Sequence, residues 1–136
     1  MQKKLLAALF GAVLLAPISV SAADLAVMGS DQDVSGGKVT ASSVVAGEDG
    51  WLVVHRTDAA MKPGPVVGYA PLKAGENKDV TADLTEAVKS GDMLMLMLHS
   101  EAGGKQVGVF EYTLGSKEDG PVRVDDKLVM VMIHAK

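Results

Sequence analysis

Between Asp92 and Ser100 leucine and methionine alternate without a break, as Met93-Leu94-Met95-Leu96-Met97-Leu98-His99. A period of two belongs to an extended strand, whose successive side chains point to opposite faces. Leu94, Leu96 and Leu98 therefore share one face, and Met93, Met95, Met97 and His99 share the other. The pattern returns at the C-terminus, where Val129, Val131 and Ile133 alternate with Met130, Met132 and His134. Each of these strands carries a row of thioethers ending in an imidazole. Each is also apolar on both faces, as a strand buried on both sides would be.

The chain from residue 38 onward reads as short β runs. They fall at residues 38–46, 51–55, 66–70, 78–84, 107–112, 122–124 and 127–135, besides the methionine strand. Turn clusters such as Gly47-Glu48-Asp49-Gly50, Pro63-Gly64-Pro65 and Gly103-Gly104 separate them. Residues 85–90 predict one helical turn, stopped by Gly91. Many short runs with no long helical period predict an all-β fold: a single immunoglobulin-like or cupredoxin-like antiparallel β-sandwich. Trp51, the lone tryptophan, is expected to be buried.

The N-terminus changes the picture of where the protein works. Lys3 and Lys4 precede an apolar run over residues 5–15, Pro17 breaks it, and Val20-Ser21-Ala22 offers small residues for cleavage. The run is too short for a comfortable membrane span. Residues 1–22 are therefore expected to be a cleaved signal peptide, with no membrane insertion after its removal and a periplasmic or secreted product. Residues 23–37 form an acidic lead-in, flexible or an edge segment, and residues 38–136 form the β domain. Asp31, Asp33, Ser35 and Gly36 match half of a calcium-loop pattern, but its twelfth position is Ser42 rather than an acid.

Charge and composition exclude several classes. The chain has 13 basic and 17 acidic residues, a net charge of −4. Loss of Lys3 and Lys4 leaves 11 against 17, or −6. Such a surface is unsuited to nucleic acid, whose phosphates require a basic patch. The absence of cysteine removes disulfide staples and the thiolate that a blue-copper centre requires. No nucleophile elbow, zincin motif or P-loop is present, so no enzyme is expected.

A family resemblance rests on Gly50-Trp51 through His55 with Asp58, on Pro63-Gly64, on Gly68-Tyr69 and on Ala74-Gly75 through Val80. Met97-Leu98-His99, Gly108 through Tyr112, and Asp119-Gly120-Pro121-Val122 complete it. Together these resemble an uncharacterised domain family of exported proteins, common in cell-surface proteins of halophilic archaea and found also in bacteria. The resemblance covers residues 38–134 and implies an immunoglobulin-like sandwich, with no activity to transfer. His55, Asp58, Met97 and His99 match its pattern, and Glu101 occupies its acidic position after the second histidine. Thr113-Leu114-Gly115 stands where the family has Pro-Gly, and Met93, Met95, Met130, Met132 and His134 go beyond it.

Thioethers are soft donors that favour Cu(I), and imidazole suits copper in both oxidation states. If the two methionine strands pair, their sulfurs and imidazoles converge. Met93, Met95, Met97, His99, Met130, Met132 and His134, with His55, are therefore the candidate ligands of a copper site. The competing reading is an immunoglobulin-like structural or protein-interaction module whose methionines pack the core or a partner surface. A methionine oxidation sink is a third use. The oligomeric state is left open by the sequence.

Overall fold

The leucine–methionine strand is the centre of the molecule. In the structure, a computed structural model that describes residues 20–114 and 116–136, it forms β6 (Met93–Ser100). Its neighbours are β3 (Gly50–Thr57) on one side and β9 (Met130–His134) on the other. The remaining principal strands are β1 (Ala26–Met28), β2 (Lys38–Ala46), β4 (Val66–Leu72) and β5 (Gly75–Leu84). All seven lie in one antiparallel sheet in the order β1-β2-β5-β4-β3-β6-β9. The expected signal peptide falls almost wholly outside the described residues. Among the described residues, no helix is long and apolar enough to cross a membrane.

The sheet curls until its two edges meet. Gln32 bridges to Ala135: its amide donates to the His134 carbonyl, and its own carbonyl accepts from Lys136. The Asp31 carboxylate accepts from the His134 amide at 2.8 Å, fixing the same seam. Inside the curl lies an aliphatic core of Val39, Ala41 and Val44 from β2, Leu52 and Val54 from β3, Leu94, Leu96 and Leu98 from β6, and Ile133 from β9. Parity along β6 thus resolves in favour of leucine as the core-facing set.

Several expectations meet corrections. The lead-in, expected to be flexible or an edge segment, contributes the edge strand β1, and Val34 is buried in the core. Residues 85–90 form an irregular segment rather than a helical turn: Thr85 spends its amide and hydroxyl on the Val67 carbonyl. Residues 107–112 form no strand. Instead they belong to a long loop whose amides are taken up by side-chain carboxylates: Glu111 accepts from Lys105 and Gln106, and Asp119 accepts from Glu111. The C-terminal run is divided into β8 (Lys127–Leu128) and β9, with β8 pairing with β7 (Arg123–Val124). Asp125 and Asp126 both sit at positive φ, the conformation that a two-residue hairpin turn requires.

Candidate site: a buried histidine pair on the methionine face

The second face of β3 and β6 is buried as well, but outside the aliphatic core. It carries Trp51, Val53, His55, Met95, Met97 and His99, none more than 5% exposed. Register sets their arrangement: Trp51 lies opposite His99, Val53 opposite Met97 and His55 opposite Met95. The loop of residues 101–121 lies over this face and contributes Phe110 and Tyr112. Tyr112 packs edge-on against both imidazoles, with centroids 4.5 Å from His99 and 5.9 Å from His55. Phe110 stacks on Tyr69 and meets the edge of Trp51.

The two histidines reach over the Val53–Met97 rung and meet, Nε2 to Nε2, at 3.2 Å. A register shift between Val54 and His55 at the end of β3 accompanies this meeting. Each ring is anchored through its other nitrogen. His55 Nδ1 donates to the Gly64 carbonyl at 2.8 Å, and His99 Nδ1 donates to the Asp119 carbonyl at 2.6 Å. A carbonyl can only accept, so both Nδ1 atoms carry hydrogen, and in the neutral rings both Nε2 atoms present lone pairs. Burial pushes the His55 pKa below the usual imidazole value. It pushes His99 down to about 4, helped by the neighbouring His55 and opposed by the Asp119 carbonyl. Both rings are therefore neutral at pH 7, and two lone pairs face each other across 3.2 Å.

The anchors are built into the backbone. Gly64 donates to the Arg56 carbonyl at 2.7 Å, and a Cβ on it would lie 2.7 Å from that same oxygen, so the turn behind His55 requires glycine. Asp119 is fully buried at positive φ. Its carboxylate accepts from the amides of Ala102 at 3.2 Å and Glu111 at 2.8 Å, and its own amide donates to the Ala102 carbonyl. The residue that anchors His99 thus also closes the loop over the site. Gly50 admits the close approach of β3 to β6 at this end, where a side chain would collide with the His99 carbonyl.

An unprotonated Nε2 with Nδ1–H held by a carbonyl is the arrangement of a histidine metal ligand. At ~2.0–2.1 Å per metal–nitrogen bond, nitrogens 3.2 Å apart subtend ~100° at a shared ion. That angle suits three- or four-coordinate binding and is far from the 180° of a linear pair. Among the described residues no three His, Cys, Asp or Glu side chains converge as a metal set. Further donors would therefore come from the thioethers of Met95 and Met97, which share the face.

The pairing of the two methionine strands is present: Met97 faces Met130, Met95 faces Met132 and Met93 faces His134. The eight candidate residues nevertheless divide. His55, His99, Met95 and Met97 form a sealed inner group, while Met93, Met130 and Met132 are half-buried and His134 is exposed beside Asp31. Asp58 caps its own turn through the Ala60 amide, and Glu101 accepts the Trp51 indole N–H. Neither reaches the pair. Sequence reasoning did not single out Tyr112 and Asp119 as parts of the site. Their only signal was membership of the Gly108–Tyr112 and Asp119–Val122 motifs.

These features define an all-β domain with a buried, paired-imidazole site on a methionine-lined sheet face. The chain belongs to the DUF7282 family, a domain of unknown function, whose pattern it matches over residues 25–136. No curated protein and no solved structure matches it.

Proposed function

We propose that this is an exported, non-enzymatic binding protein that holds one Cu(I) ion between His55 and His99, with thioether donation from Met95 and Met97. The observation that carries the reading is the pair of Nε2 lone pairs 3.2 Å apart with both Nδ1 atoms anchored on carbonyls. Two like dipoles held end to end in a dry site favour a cation between them. The thioethers select a soft one. Export is supported by the residues of the N-terminal segment alone. The strand order β1-β2-β5-β4 followed by β3-β6-β9 is that of the two sheets of an immunoglobulin-like sandwich, which supports that topology, although β4 and β3, which belong to different sheets in that fold, are paired here.

Native mass spectrometry under anaerobic Cu(I) titration tests the reading. One ion per chain is expected, lost in His55→Ala and in His99→Ala, and weakened in Met97→Leu. Unchanged loading of both histidine variants would overturn it. The complete burial of Met95, Met97 and both histidines favours a second reading, a purely structural or interaction module. In that reading the pair only ties loop 101–121 to the sheet, and the titration shows no Cu(I) bound to the wild-type chain.

A further inference from the structure

The histidine pair is sealed, with His55, His99 and Met95 at 0% exposure and Met97 at 1%. From there the same face of β6 and β9 leads outward through three cross-strand rungs: Met97–Met130, Met95–Met132 and Met93–His134. Opposed residues on one face have Cβ atoms ~5 Å apart, and successive rungs follow at ~7 Å. Burial falls along the series. Met93, Met130 and Met132 are half-buried, and the His134 side chain is 56% exposed. The opposite face of the same strands carries only leucine, valine and isoleucine over 94–98 and 131–133. Packing alone asks for apolar residues on both faces and gives no reason to place all five thioethers on one.

We infer that the outer end of this ladder, Met93 with Met132 and His134, is an acquisition site that takes Cu(I) at the surface and passes it inward along Met95 and Met97 to the histidine pair. The inference rests on the reading of that pair as the Cu(I) site. Each handover is a ligand exchange: one copper–sulfur or copper–nitrogen bond forms as another breaks. The ion stays Cu(I), and no electron or proton is transferred. Rungs ~7 Å apart are short enough for neighbouring thioethers to share the ion part-way by rotamer change, which methionine's three flexible torsions permit. The Asp31 carboxylate, 3.6 Å from His134 Nδ1 at its Oδ1 atom, places negative charge at the entrance.

Stopped-flow transfer from a coloured Cu(I)–bicinchoninate complex, at protein concentrations where the rate rises linearly, tests the route. The triple variant Met93→Leu, Met132→Leu, His134→Ala is expected to load about tenfold or more slowly, the effect of ~1.4 kcal/mol on a barrier. Its final occupancy should stay at the wild-type value, because the inner ligands are intact. Met132→Leu alone, a volume-conserving change, should slow loading to a lesser degree and guards against misfolding of the triple variant. Wild-type loading rates in both variants would overturn the route while leaving the inner site standing. Full occupancy in His99→Ala would remove the inner site itself, and the inward handover with it.

Discussion

Replacing Asp119 by alanine tests whether one carboxylate holds the cover over the histidines. The structure gives that carboxylate two backbone donors, Ala102 N and Glu111 N, and places the side chain at 0% exposure. Removing it orphans both amides. A donor stranded in a buried site costs ~1–3 kcal/mol, and these two lie part-way out, so a loss of roughly 2–4 kcal/mol is expected. Urea unfolding followed by the single tryptophan measures it directly, since Trp51 packs on Phe110 from the same loop. With a slope of ~1–3 kcal/mol per molar, the midpoint should fall by about 1–2 M. Asp119→Asn keeps one acceptor oxygen and the tolerance for positive φ, and should cost about half as much. Because the Asp119 carbonyl also orients His99, Cu(I) affinity should fall in step with the loosened loop. A midpoint shift below ~0.3 M for Asp119→Ala would refute the clamp, because an orphaned pair of amides cannot be that cheap.

Trp51→Ala should cost ~3–5 kcal/mol in the same assay, with far-UV circular dichroism reporting the fold, since the ring is buried against Tyr69 and Phe110. Metal-free protein should lose stability as pH falls from about 6.5 toward 4. The His99 pKa is lower folded than unfolded, so the unfolded chain takes up the proton first, and the contribution is complete above pH ~6.5. A fall from 6.5 to about 4 corresponds to roughly 3 kcal/mol, and a pH series of urea midpoints against His99→Gln isolates it. An identical pH profile in that variant would count against a neutral, buried His99.

The sequence showed which residues share a face, but not which face turns inward. Strict alternation put Leu94–Leu98 and Met93–His99 on opposite sides of β6, and the bounds of β2 match the valine-, threonine- and serine-rich run at 38–46. Both sides of β6 were apolar, so hydrophobicity could not choose between them; the aliphatic core took leucine, and loop 101–121 packs Phe110 and Tyr112 on the histidine end of the other face. The apolar residues Val107, Val109, Phe110 and Tyr112 predict a strand within that loop, and none forms. Its true organisation depends on carboxylates of Glu111 and Asp119 capping distant amides, an effect with no periodic signature. The histidine pair was out of reach for a related reason. His55 and His99 are 44 residues apart and four positions out of register, and they meet because their side chains reach toward each other over the Val53–Met97 rung.

The seam between the first and last strands has a consequence for how the chain acquires its shape. Asp31 and His134 are 103 positions apart, so closing the curl ranks among the most distant contacts the chain can make, and loop-closure entropy delays such contacts. β9 is also synthesised after the six strands whose sheet it completes. Until it docks, β6 stands as a bare edge, apolar on both sides and with its hydrogen-bonding groups open to any passing strand. Every newly made chain passes through that interval. Its hazard is intermolecular pairing through the methionine strand, and it ends only when β9 pairs with β6.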